Sequence, residues 1–600
     1  MKRVIWDIET DGLLQEATKV FTIVLKDVDT GEVISACDAA RDGYRTIGDA
    51  LAILAKAEER IGHNTLKFDC KVIEKLYPGT LAKGLDTDTM ILAQLKFPDI
   101  KERDGEKLSN GTWSKEFFSH KGKSLFGKHS LAAWGKRIGT FKDEYEGSFD
   151  KWAPEMQAYA EQDLETTYQL WRYLCPEDYS QEAIRLEHDI VKITHQMELD
   201  GIPFDLKGAI ELQATLATRK EKLRSSLTGL FEPWEVVVKE AIAKVNSKKL
   251  GRVKGEPYKV VKTVYFNPGS REHIAKCLIE KYGWKPSVFT PTGKPKIDDE
   301  VLEELEYPEA LALAEYFTVC KLLGYLVEGD KAWLNYYDEK HKVIHAHYEP
   351  MGTVTSRSSH HSPNIGQVPS VDKPYGKECR NLFGRQDGMC LVGTDMSGLE
   401  LRCLAHYMAH LDRGKYAEVI LETDDIHLVN MKAAGLSSRK QAKTLWYAIL
   451  YGAGLPKIGS ITGGGFKAGK DISNKFYKEF PALKKLINIC KSGATKGYLN
   501  GLDGRRVPVR SEHAALNTLL QSAGAIICKR WVVEMYKQLP KDSRFACWVH
   551  DELQIICKPE DAEYVGNLSK RVAHEVAEHY KLKCPLDTEY KIGNNWAECH

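Results

Sequence analysis

The sequence has no Cys-x-x-Cys pair among its 14 cysteines, and their spacing is irregular. Neither a zinc knuckle nor a disulfide framework is indicated, and a reducing, cytoplasmic setting is expected. An excess of either charge is also missing, since 85 basic residues stand against 84 acidic ones. That balance argues neither for nor against nucleic acid, because a basic groove can be offset by acidic sites elsewhere; distribution has to decide. No run approaches the ~18 apolar residues of a membrane span. The opening MKRVIWDIETDG lacks the apolar core of a signal peptide. No long stretch is depleted of aliphatics and aromatics, so order is expected almost throughout. What is present is length: 600 residues imply about three to five domains.

Arg3 to Thr10 alternates as a strand and places Asp7 and Glu9 on one face, two residues apart. Ionised carboxylates that close repel each other, and a divalent cation between them resolves the conflict. Taken alone, the pair describes a solvated edge strand equally well. Downstream, Asn64-x3-Phe68-Asp69 follows a compact polar turn, and Tyr159 and Asp163, four apart, share one face of a helical stretch. In order and separation this set resembles the DEDDy family of 3′→5′ exonucleases. The resemblance implies that Asp7, Glu9, Asp69 and Asp163 hold two Mg²⁺ ions, with Mn²⁺ as an alternative, and that Tyr159 orients the attacking water. Phosphodiester hydrolysis needs a hydroxide and a stabilised leaving oxygen, which two metals supply together. Trp134, on an amphipathic stretch between these motifs, is read as core.

From Gln181 to Leu230 the apolar spacing is helical, with a turn at Gly201 to Asp205. Between Lys239 and Lys262, Lys239, Lys244, Lys248, Lys249, Arg252, Lys254, Lys259 and Lys262 are opposed only by Glu240 and Glu256. Such a run describes a solvated loop or a contact for duplex phosphates.

In the second half, Leu391 to Asp395 reads as a strand that ends in an aspartate, which is either a metal ligand or a helix cap. Phe545 to Ile556 reads as two β-runs meeting at His550-Asp551-Glu552, which puts carboxylates at a tight bend. Between them lies Arg439-x3-Lys443-x3-Tyr447-x3-Tyr451-Gly452. Steps of four drift by about 40° each on a helix, so two cations and two rings form one stripe. It is poor core and suits a triphosphate with a base to stack on.

These three blocks, with Thr355 to Ser359 and Pro363 to Pro369 ahead of them, resemble motifs A, B and C and the preceding palm segment of family A DNA polymerases. The runs Asp395 to Arg402, His513 to Gly524 and Asn595 to His600 are similar to replicative polymerases of T-seven-type bacteriophages. The resemblance implies that Asp395 and Asp551 ligate two Mg²⁺ ions with the Met396 carbonyl, and that Glu552 lies close by. By the same resemblance Arg439 and Lys443 would bind the triphosphate, Lys443 also protonating the pyrophosphate that leaves; Tyr447 would pack on the sugar and Tyr451 stack at the templating position; Glu400 would close the space beside the 2′ carbon, and His427 would contact the incoming phosphates. Arg357, Asn517, Gln521 and His550 would read the minor groove or the primer end, where acceptors are alike for every correct pair.

The fold expected is multidomain α/β: an RNase H-like exonuclease over residues 1–180 and a right-hand polymerase. The hand comprises a thumb at 181–340 with its basic insertion at about 234–264, palm at 341–410 and 511–600, and fingers at 411–510. The implied partners are primer-template DNA, dNTPs and, for a phage enzyme in the host cytoplasm, a helicase-primase and a single-strand-binding protein. Thioredoxin is not expected, because the phage relatives recruit it through a longer thumb insertion. A single-subunit RNA polymerase would share the palm motifs, but Glu400 and the exonuclease motifs argue against it.

Overall fold

The computed structural model describes residues 1–600 apart from Lys121, 141–144, Glu146, Asp424 and His600, with the backbone alone at Lys249. His600, which ends the run from Asn595, and the side chain of Lys249 thus lie outside the described residues, as does Asp424, three residues before His427.

The predicted first strand forms as β1 (Arg3–Thr10). It joins β2 (Val20–Asp27), β3 (Val33–Cys37), β4 (Arg45–Thr46), β5 (Glu59–Gly62) and β6 (Leu85–Asp88) in the order β4-β3-β2-β1-β5-β6. β1 is a central strand, antiparallel to β2 and parallel to β5, rather than a solvated edge. Val4, Trp6 and Ile8 enter one buried cluster and Ile5 another, so both faces of the strand are covered. By alternation, Asp7 and Glu9 share the Ile5 face. α1 (Asp69–Leu76) follows β5, and α2 (Pro154–Leu174) covers the Ile5 face through Ala160 and Leu164. Trp134 is buried in the same cluster, as core.

The helical middle forms as α3 (Gln181–Asp200) and α4 (Leu206–Thr228). The turn between them needs glycine at Gly201, where φ is +67° and a Cβ would meet the Val343 side chain at 2.6 Å. The basic stretch is part strand and part loop: Lys239, Lys259 and Lys262 lie on strands, and Lys244, Lys248, Arg252 and Lys254 lie in the connection between them. It pairs as a two-stranded antiparallel ribbon, β7 (Trp234–Ile242) with β8 (Pro257–Val264), because Val236, Val237, Val238, Val260 and Val261 favour an extended chain. α5 (Ala310–Leu323) then packs on α4. Contrary to the expectation from consecutive apolar residues, Ala310–Tyr336 is long and apolar enough to cross a membrane, with a mean hydropathy of 1.5. Its Leu313, Val319, Leu322, Leu326 and Trp333 are buried against α4 and its neighbours, and a helix covered on several sides is apolar on several sides.

The rest of the chain holds β9 (Cys390–Met396), α6 (Leu399–Asp412), α7 (Ile426–Ala434), α8 (Arg439–Leu450), α9 (Ala515–Gln538), β10 (Arg544–Val549), β11 (Glu552–Cys557), α10 (Ala562–His579) and β12 (Thr588–Gly593). β9 to β12 make an antiparallel sheet in the order β10-β11-β9-β12. The helices α6, α7 and α8 fall between β9 and β10 in the chain, and α9 leads back to the sheet. One hydrophobic cluster joins α6, α8, α9 and α10 to the sheet.

Candidate active sites

The first acidic site sits between β1 and α2. Oxygens of Asp7, Glu9 and Asp163 lie within 4.8 Å of one another. Asp69 is outside that trio but bound to it through the backbone: its Oδ1 accepts the Ile8 N–H, between Asp7 and Glu9, at 3.3 Å. Burial, with the charge of Asp88 adding, pushes the Asp69 carboxyl above its ordinary range. Tyr159 stands one turn before Asp163. Burial first, then the charges of Asp163, Glu9 and Asp7, push its phenol up and keep it protonated. Three hard oxygen donors converging on one point are the donor set of a divalent cation such as Mg²⁺ or Mn²⁺, and the cation relieves their mutual repulsion.

The second site forms where β9 meets the β10–β11 turn. Asp395 is exposed near the end of an otherwise largely buried strand, opposite Glu552 in β11 and Glu589 in β12. His550 and Asp551 form the two-residue turn, and His550 supplies its positive φ of 57°. The Met396 N–H donates to the Asp551 carbonyl at 3.1 Å and fixes the strand end to the hairpin tip. Both aspartates raise the buried Cys528 thiol, after burial itself, so their charges converge there. Burial also raises the Asp551 carboxyl. Asp395 and Asp551 offer the hard oxygen donors that a divalent cation takes.

The cation and ring stripe is the exposed face of α8. Ala442, Leu445, Trp446, Ile449 and Leu450 are buried on the opposite face, so Arg439, Lys443 and Tyr447 have to point outward. The Tyr447 and Tyr451 rings stack with centroids 6.2 Å apart. Gly452 ends the stripe at φ +70°, and a Cβ there would strike the His513 carbonyl at 2.0 Å. Arg439 bonds Asp425, the residue whose side chain caps α7 at the His427 N–H. Burial and then the Arg439 charge lower the His427 imidazole below its ordinary range. After burial, Glu400 is the first charge that raises the Tyr447 phenol, which brings α6 and α8 together at the site.

Arg357 reaches Glu400 at 2.7 Å. Asn517 and Gln521 are half-buried on α9, whose neighbouring Leu516, Leu519 and Leu520 are buried. One or two turns on, Gly524, Ala525 and Cys528 line a cavity that also takes in Arg357, Glu400 and Asp551. Glu552 is placed differently from the rest. Its Oε1 receives Gln554 at 2.8 Å, Arg380 at 3.4 Å and the Trp596 indole N–H, so the carboxylate is held by one cation and two neutral donors at the base of the hairpin. No short spacing points to Arg380, or to Asp425 as the partner of Arg439, and Trp596 stands in the sequence only as part of the terminal run Asn595 to His600.

Residues 238–598 match the model of DNA polymerase family A. The DNA-directed DNA polymerase of Escherichia phage T7 is 35% identical over 717 aligned residues, with 100% of both chains covered. That of Enterobacteria phage T3 is 36% identical over 720, with 99% of each covered. Both alignments are longer than this chain, so each relative carries segments it lacks. The POL domain of Pol1 from M. smegmatis, solved in complex with DNA primer-template and dNTP, shares the fold at a TM-score of 0.71 and 18% identity, covering 99% of this chain and 96% of that one. With the family match spanning most of the chain and two relatives aligned end to end, the chain belongs to DNA polymerase family A.

Proposed function

We propose that this DNA polymerase adds dNMP units to a primer 3′ end at the Asp395–Asp551 site and removes mispaired ends by 3′→5′ hydrolysis at the Asp7–Glu9–Asp163 site. The observation that carries the synthetic half is the backbone tie from the Met396 N–H to the Asp551 carbonyl, which holds the end of the Asp395 strand against the hairpin tip that bears Asp551. Asp395 and Asp551, with the Met396 carbonyl, would hold two Mg²⁺ ions, which would supply a lowered pKa at the primer hydroxyl and positive charge against the departing pyrophosphate. Arg439 and Lys443 grip the triphosphate with His427, and Lys443 gives its proton to the pyrophosphate. Tyr447 packs on the sugar, Tyr451 stacks at the template, and Glu400 excludes a 2′-hydroxyl. Asn517, Gln521 and His550 follow the paired end of the primer.

In the proofreading half, Asp69 completes the ligand set through its link to β1, and Tyr159 orients the water. The order of the first sheet, with β1 central and α2 across it, supports an RNase H-like reading of residues 1–180. The remainder forms a hand, with α3 to α5 and the ribbon as thumb, β9 to β12 as palm and α7 and α8 within the fingers. The ribbon lies on duplex phosphates and takes no thioredoxin. The enzyme replicates phage DNA in the host cytoplasm, alongside a helicase-primase and a single-strand-binding protein.

Primer extension with dNTPs against rNTPs tests the synthetic reading. Preferred use of dNTPs, abolished by a chelator and restored by Mg²⁺, is the expected result; equal use of rNTPs would reject it.

A further inference from the structure

The carboxylate of Glu400 is borne on a side chain with three rotatable bonds, in the first turn of α6 and about one-third exposed. An unanchored glutamate there would sample several rotamers, and some of them would leave the space beside a nucleotide's 2′ carbon open. Excluding one hydroxyl demands a fixed position. Arg357 Nη2 donates to Glu400 Oε1 at 2.7 Å, a charge-assisted contact of the short kind. Arg357 is itself held: its backbone N–H donates to Thr353 Oγ1 at 3.0 Å, and the preceding Ser356 sits at φ +62°.

The guanidinium carries five N–H donors in a rigid fork. While Nη2 serves Glu400, the group borders the same cavity as His550 and Asp551, where the primer end is proposed to lie. We infer that Arg357 is a positioning residue for sugar selection, holding the Glu400 carboxylate against the 2′ carbon while the rest of its fork reads the primer end. The inference rests on the reading of Glu400 as the sugar gate, and it assigns the stiffness of that gate to a second residue. Lysine offers a point charge in place of the fork, so it retains the attraction and loses the geometry.

The test is the ratio of kcat/KM for a dNTP to that for the matching rNTP, measured on the full chain with Arg357→Ala, Arg357→Lys, Glu400→Ala and the Arg357→Ala/Glu400→Ala double variant. A ratio cancels a general loss of activity from weaker primer binding. Arg357→Ala is expected to lower the ratio by about tenfold, as befits a charged hydrogen bond. Arg357→Lys should fall in between, and the double variant should be no less selective than Glu400→Ala alone. An unchanged ratio in Arg357→Ala, alongside a lowered one in Glu400→Ala, would overturn the inference and leave the gate standing. An unchanged ratio in Glu400→Ala would overturn the gate reading and the inference with it. Additive losses in the double variant would also overturn the inference, because they would make Arg357 act without Glu400.

Discussion

Lys529 Nζ lies 2.6 Å from the carboxylate of Glu187, 342 residues away in the sequence, and both side chains are fully buried. Arg505 bridges the same carboxylate to Asp503, so two cations and two anions neutralise one another in the interior. The network ties α3 to α9 and to the segment that leads into it. Burial lowers the Lys529 ammonium to about 8, against the pull of Glu187.

Removing one member leaves a buried charge uncompensated. Lys529→Met and Glu187→Gln are each expected to cost about 3–5 kcal/mol, seen as a lower denaturant midpoint. Glu187→Gln combined with Lys529→Met should cost less than the sum of the two single changes. Additive losses would show that the pair is not coupled.

Glu198 of α3 joins the first sheet to the second half of the chain. It accepts Lys67 at 3.2 Å, His195 at 2.9 Å and the Tyr348 N–H at 2.7 Å. Burial would raise its carboxyl, but the His195 and Lys67 contacts prevail and hold it at about 2. A carboxyl depressed on folding stabilises the protein above its unfolded pKa, and that contribution fades as pH falls towards the folded value. Wild type should therefore exceed Glu198→Gln by about 3 kcal/mol at neutral pH, with the gap closing between about pH 4.5 and 2. A gap independent of pH over that window would contradict the assignment.

Lys239 and Lys262 share a face of the ribbon by register, since Lys262 pairs with Val236 and Lys239 with Val260. If that face meets duplex phosphates, Lys239→Glu with Lys262→Glu weakens primer-template binding and lowers the slope of log K against log salt by about 2. An unchanged slope would place the ribbon off the DNA. Adding thioredoxin should leave processivity unchanged.

Much of this was legible because the chemistry is written in short spacings. The i, i+2 carboxylates of β1, the i, i+4 stripe of α8 and the β-turn-β pattern around Asp551 each dictate local structure, and local structure placed their side chains. What stayed hidden is carried by long-range packing. The convergence of Glu187, Asp503, Arg505 and Lys529 spans most of the chain, and no period in the sequence encodes it. The ribbon was half legible: its charge was plain, but counting lysines hid the valines that make it a β-structure. Glu552 was legible as an acid at the bend, whereas the Arg380 and Trp596 donors that hold its carboxylate come from 172 and 44 residues away and were not.

If two separate acidic sites serve one primer strand, primer extension and mismatch excision come apart when measured side by side in Asp7→Ala and Asp395→Ala. Asp7→Ala is expected to lose excision by about a thousandfold or more while extending normally, and Asp395→Ala to do the reverse. Loss of both activities from either single change would contradict two separate sites.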